Sequence, residues 1–200
     1  MKLYFFPNAC SLAPHIVLQE LALPFELVRV NNQTKTTASG EDFLQINPKG
    51  YVAALQLDNG QVLTEASAIL QYLADLKPAA GLAPLNGSWE RVRLQEWLNF
   101  IASEVHGGLA ILFNSAVPGE VKELFKTTLF KRFAILVNTL ERQDYLLGEH
   151  FTVADAYLFV VLRWAGFNDI DLNKWPALAS FQQRIGARPT VIAAFAAENP

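Results

Sequence analysis

The sequence predicts two bodies in one chain, an α/β domain followed by an all-helical one. Strand signals occur only in the first 78 residues, where they alternate with helical ones. The stretch from Lys77 to Gly87 carries Pro78, Gly81, Pro84 and Gly87, the composition of a linker. Beyond it, apolar residues recur only at helical spacing. The chain is therefore expected to divide into an α/β domain at residues 1–78, a linker at 79–87 and a helical domain at 88–200.

Leu3 to Phe6 is an aromatic-rich run broken by Pro7-Asn8, which reads as a strand and turn before a helix over Ser11 to Leu21. Phe25 to Val30 alternates apolar with charged residues, as a half-buried strand does. A polar stretch then leads to a short helix, Glu41 to Ile46, stopped at Asn47-Pro48 because the residue before proline is pushed out of the helical region. Val52 to Leu57, Asp58-Asn59-Gly60 and Gln61 to Leu63 form a hairpin, since Asn-Gly tolerates the positive φ of a tight turn. From Thr64 to Leu76, the stripe of Ile69, Leu70, Leu73 and Leu76 gives a helix. The predicted order is β-α-β-α-β-β-α.

Long amphipathic helices are predicted over Trp89 to Phe113 and Val121 to Leu140. A capped start follows, with Thr152 as N-cap, Asp155 three residues on as its partner, and Phe151 stapling toward Ala156. The apolar helix it opens runs to Trp164. Trp175-Pro176 begins a further helix to Ile185, Arg188-Pro189 interrupts, and Thr190 to Ala197 forms a tail helix.

Composition narrows the function. An apolar fraction of 52% with mean hydropathy +0.19 excludes a disordered chain. Sixteen basic against nineteen acidic residues give a net charge of −3, which does not suit a phosphate backbone, so no nucleic-acid partner is expected. No apolar run reaches the ~18 residues of a membrane span, and Pro7-Asn8 cuts short anything like a signal peptide. The expectation is a cytoplasmic protein. One Cys and three scattered His residues lack metal-ligand spacing, so no metal is expected.

That one cysteine, Cys10, stands where the first strand hands over to the first helix. It is either a small buried filler or a reagent whose thiolate the helix start favours. On the Trp89 helix, at 100° per residue, Asn99, Ser103 and His106 share one polar strip, which is either a solvated face or a set of hydrogen-bonding groups. Gly107-Gly108 lets another backbone or a ligand come close behind it. Thr64-Glu65-Ala66-Ser67 opens the helix after the hairpin, and its N–H groups with the Glu65 carboxylate suit a zwitterionic amino-acid end. A plain N-cap at Thr64 accounts for the same residues. His15 and His150 are read as structural.

These motifs together resemble the bacterial beta-class glutathione S-transferases across the whole chain. The resemblance rests on Met1-Lys2-Leu3-Tyr4, Ala9-Cys10-Ser11-Leu12, Asn47-Pro48-Lys49-Gly50, Leu63-Thr64-Glu65, Glu96-Trp97-Leu98-Asn99, Ser103-Glu104-Val105-His106 and the run Phe151 to Phe159. It implies a thioredoxin-like N-terminal domain, a homodimer and a glutathione site in the cleft between domains. Glutathione is then a co-substrate, with no resident cofactor. Carried over by position, Cys10 faces the glutathione sulfur, stabilising its thiolate or forming a mixed disulfide, and His106 and Asn99 reach the same sulfur. The Val52 backbone pairs with the cysteinyl unit, Glu65 and the Ala66 N–H hold the γ-glutamyl end, and Lys35 meets the glycyl carboxylate. Ser103 and Glu104 match positions contributed across the dimer interface.

The chain departs from the pattern at Ala53, where the family carries a cis proline. A non-proline cis bond costs about 3 kcal/mol or more, so a trans Val52–Ala53 bond with a shifted loop is expected. Phe5 and Gly107 replace a common Tyr and Lys, and Asn8 a common Gly. The expected activity is conjugation of glutathione to small hydrophobic electrophiles in detoxification, with thiol-disulfide exchange through Cys10 as a companion. Phe113 and Trp164 are candidates for the acceptor pocket. A glutathione-transferase-like binding or regulatory protein with weakened catalysis is the alternative. A Cys10 peroxidase ranks last because no resolving Cys exists.

Overall fold

A computed structural model of the chain describes residues 1–199. Contacts group it into two compact units, one of Met1–Ala80 with the segment from Arg188 onward, the other Gly81–Ala187. The last segment of the predicted 88–200 domain thus packs with the first unit instead, and Pro200 lies outside the described residues.

The first unit holds β1 (Lys2–Phe5), α1 (Leu12–Glu20), β2 (Glu26–Asn31), β3 (Thr36–Thr37), α2 (Phe43–Ile46), β4 (Ala54–Gln56), β5 (Val62–Thr64) and α3 (Ala66–Leu76), with the C-terminal helix α9 (Pro189–Glu198). The strands form one sheet in the order β3-β2-β1-β4-β5. β1 runs parallel to β2, with Leu3 opposite Leu27, and antiparallel to β4, with Leu3 opposite Leu55. Alternation along β1 sends Tyr4 to one face, where it packs with Val30, Phe43 and Ala54, and sends Leu3 and Phe5 to the other. In the hairpin only Gly60, at φ +84°, takes a positive φ, while Asn59 Oδ1 accepts from Gln61 N at 3.0 Å. Helix α1 packs against α3 and α9. His15 of α1, fully buried, has Nδ1 2.9 Å from Oε1 of the equally buried Glu198, and Arg188 Nε donates to Glu20 Oε1 at 2.7 Å. These two contacts explain why the tail belongs to this unit.

The second unit comprises α4 (Trp89–Phe100), a π-helix (Ile101–His106), α5 (Gly107–Ala110), α6 (Gly119–Leu140), α7 (Val153–Leu162) and α8 (Pro176–Gly186). Every residue of α7 is buried, and the helix packs against α8, α4 and the π-helix. Its capping box forms as the sequence predicts. Asp155 Oδ2 accepts from Thr152 N and Oγ1, both at 2.8 Å, and Oδ1 accepts from Leu146 N at 2.8 Å. The single helix predicted over Trp89 to Phe113 is instead interrupted by the π-helix. There Gly107 N–H bonds the carbonyl of Ala102, five residues back, rather than the fourth. Among the described residues, no helix is long and apolar enough to cross a membrane.

Candidate functional site

In the first unit, the turn between β1 and α1 is fixed by Ser11, whose Oγ accepts from Phe6 N at 3.3 Å and donates to Phe6 O at 3.4 Å. This turn carries Cys10, only 8% exposed, whose Sγ donates to Val52 O at 3.4 Å. Burial pushes the thiol up to about 11, against the pull of the Ala53 and Cys10 backbone N–H groups and with a smaller push from the Glu65 carboxylate. The thiolate expected from the helix start is therefore corrected. Loss of water around a sulfur sealed from solvent outweighs the partial charge of α1, which begins two residues later. At neutral pH Cys10 is a thiol and a donor.

The Val52–Ala53 bond is cis, which corrects the expectation of a trans bond with a shifted loop. The flanks dictate the chain's path there. Asn47 Nδ2 donates to Tyr51 O at 2.7 Å, and Ala54 is locked in the sheet between Tyr4 and Thr64. Gly50 completes the turn at φ +70°, where a Cβ would come within 3.1 Å of Leu44 Cδ2.

Helix α3 starts at Ala66, not at Thr64, because Glu65 takes φ +70° and interrupts the backbone. Ala66 N–H lies in the first turn, where no preceding turn supplies an acceptor. The Glu65 carboxylate is exposed and accepts from Lys49 Nζ at 2.6 Å, and Lys49 also donates to Thr64 Oγ1 at 3.1 Å. Lys35 Nζ donates to Asn32 Oδ1 at 2.9 Å and Gly50 O at 3.0 Å, and stands 5.6 Å from the centre of the Tyr51 ring. So Cys10, Val52, Glu65, Ala66 and Lys35 all belong to this one unit, with both charged side chains already partnered. Sequence reasoning missed Lys49 as the partner of Glu65, since nothing in Asn47-Pro48-Lys49-Gly50 says where that side chain points.

In the second unit, the predicted strip of Asn99, Ser103 and His106 does not persist, because the underwound π-helix breaks the 100° spacing on which it rested. Asn99 and Ser103 are exposed, and Ser103 Oγ donates to the Asn99 carbonyl at 3.0 Å. His106 is half-buried instead, with Nδ1 2.6 Å from Tyr157 Oη. Its ring meets that of Trp164 edge-on at 4.8 Å, and Phe113 meets Trp164 at 5.7 Å. Glu104 Oε2 accepts from Arg132 Nε at 2.5 Å, a pairing within the chain. His15 is structural in position, and His150 is exposed. Among the described residues, no three His, Cys, Asp or Glu side chains are grouped to hold a metal ion.

A thioredoxin-like sheet carrying a buried thiol at the turn after its first strand, joined to a helical unit, defines the build of a glutathione transferase. The family description "Glutathione S-transferase, N-terminal domain" matches residues 1–75, and its C-terminal counterpart matches residues 100–189. Glutathione S-transferase GstA of Escherichia coli O157:H7 is 45% identical over 200 residues, covering 100% of this chain and 99% of the relative. Among solved structures, the ternary complex of BphK, a bacterial GST, is 52% identical with a TM-score of 0.98, covering 100% of both chains. A sphingomonad glutathione S-transferase complexed with glutathione is 45% identical with a TM-score of 0.96, covering 99% of this chain and 98% of that one. The chain belongs to the glutathione S-transferase family.

Proposed function

We propose that this glutathione S-transferase conjugates glutathione to small apolar electrophiles with Cys10 acting as a neutral hydrogen-bond donor to the glutathione sulfur. The observation that carries the reading is the Cys10 thiol itself, protonated, buried and directed at the Val52 carbonyl. Turned from the Val52 carbonyl to the glutathione sulfur, this single S–H favours the thiolate there, because charge-assisted hydrogen bonds are about twice as strong as neutral ones. The glutathione thiolate then attacks the electrophilic carbon and the leaving group departs with its electron pair. Thiol-disulfide exchange through Cys10 needs Cys10 as a thiolate, which burial opposes, so conjugation leads and exchange trails.

Around the sulfur, the Val52 backbone pairs with the cysteinyl unit, Glu65 and Ala66 N–H take the γ-glutamyl end, and Lys35 takes the glycyl carboxylate. Binding then requires Glu65 to turn from Lys49 to the ligand's ammonium group. His106 and Asn99 act on the same sulfur, while Phe113 and Trp164 offer rings to the acceptor. The active form is a cytoplasmic homodimer in which Ser103 and Glu104 serve the partner's site, and its task is detoxification.

Turnover of 1-chloro-2,4-dinitrobenzene with glutathione tests the reading. The wild type should release chloride and form the thioether, and Cys10→Ser should change that rate. Unchanged rates in both conjugation and disulfide reduction would remove Cys10 from the mechanism. Retention on a glutathione column without turnover would instead favour the binding or regulatory protein.

A further inference from the structure

The first unit contains a concavity, of about 600 Å³, at the carboxyl ends of β1 and β2. None of Cys10, Val52, Glu65 or Ala66 lines it. That volume suits a small organic molecule, and the carboxyl ends of adjacent parallel strands are where open α/β sheets present their loops to ligands.

Its lining has one sign of charge. Arg29 is the single charged residue among the lining side chains, and its guanidinium has no hydrogen-bond or ion-pair partner among the described residues. Alternation along β2 puts Arg29 and Asn31 on the same side of the strand, away from the buried Val30. Asn31 Oδ1 accepts from Gln33 N at 2.9 Å and Thr34 N at 3.1 Å, which fixes the loop after β2. The Gln33 side-chain amide and the Asn31 Nδ2 remain without partners among the described residues, so with Arg29 three residues of the lining carry unpartnered donor groups. Phe6, 37% exposed, adds an apolar ring to the lining.

A planar, unpaired guanidinium matches a carboxylate bidentately, and an exposed aromatic ring matches a flat apolar body. We propose that this pocket binds a small aryl carboxylate, its carboxylate on Arg29 with the Gln33 and Asn31 amides and its ring against Phe6. The lining contains none of the residues assigned to glutathione, with a link to them at Asn32, which accepts from Lys35, and the proposal does not depend on the role of Cys10.

The test compares 2-naphthoate with its uncharged counterpart 2-naphthamide on the full chain, by calorimetry and by amide chemical-shift mapping, with and without saturating glutathione. The naphthoate is expected to bind at least about tenfold more tightly, the value of one charge-assisted pair. Shifts are expected at Arg29, Asn31, Gln33 and Thr36, and glutathione should leave them in place. Arg29→Gln should abolish the preference for the anion, while Phe6→Ala should weaken both probes. Equal affinities, absence of binding at millimolar probe, an unchanged preference in Arg29→Gln, or shifts at Cys10 and Ala66 that glutathione displaces would each overturn the proposal.

Discussion

The hydroxyl of Tyr157, buried within α7, stands 2.6 Å from Nδ1 of His106, the last residue of the π-helix. A phenol at that distance couples its own hydroxyl proton to the choice of imidazole tautomer, since it can donate to a bare Nδ1 or accept from Nδ1–H. As donor to Nδ1 it leaves Nε2 protonated and able to donate elsewhere. Tyr157→Phe should shift the tautomer balance toward Nδ1–H, read from the ¹⁵N shifts of His106. It should lower kcat several-fold while leaving KM for glutathione nearly unchanged. An unaltered tautomer would show that the surrounding rings, not Tyr157, orient the imidazole.

The Cys10 thiol should react slowly with iodoacetamide in the unliganded protein at pH 7 to 8. Its alkylation rate should climb with pH toward about 11, where burial has moved its ionisation. The sign for stability follows from the same shift. The folded chain holds this proton more tightly than the unfolded one, whose thiol ionises at the ordinary value of 9.0, so stability is lost as pH rises from 9.0 toward about 11. Cys10→Ala should lessen that alkaline loss relative to the wild type in urea titrations. A plateau of alkylation near pH 7 would contradict the buried thiol.

On the proposed reading, Lys49 competes with the ligand's ammonium group for the Glu65 carboxylate, to which it now donates. Glu65→Gln should raise the glutathione Kd about tenfold, since an ammonium loses its charged acceptor. Lys49→Met should leave that Kd unchanged or lower it, because it frees the Glu65 carboxylate. Calorimetric titration of both variants checks the pair, and a larger loss in Lys49→Met than in Glu65→Gln would assign the ligand contact to Lys49.

Asp155 stabilises the second unit through three bonds from Leu146 and Thr152. Asp155→Ala leaves the Leu146 N–H unpartnered and should cost about 3 kcal/mol, measured by urea unfolding. A loss within 0.5 kcal/mol, the usual range for a surface change, would show the loop before α7 to be held by other contacts.

Local chemistry made part of this structure legible in the sequence. The Asn59-Gly60 turn, the Ile69, Leu70 and Leu73 part of the α3 stripe and the Thr152–Asp155 box each depend on neighbours in the chain, and each formed, while Leu76, the fourth member of the stripe, is exposed. The π-helix was hidden because a 100° projection assumes the regular turn that Ile101–His106 lacks. The tail helix was legible from Thr190 to Ala197 but not its neighbour, which the buried His15–Glu198 contact and the Arg188–Glu20 pair reveal. The thiol state of Cys10 depended on burial by residues far along the chain, such as Val52, and position before a helix could not report it.

The most direct test of the donor role is a pH titration of thiolate absorbance at 240 nm for the protein–glutathione complex, in the wild type and in Cys10→Ala. The account predicts that bound glutathione ionises at least one unit below the free thiol and that the midpoint rises in Cys10→Ala. A midpoint equal to that of free glutathione, or the same in both proteins, would contradict it.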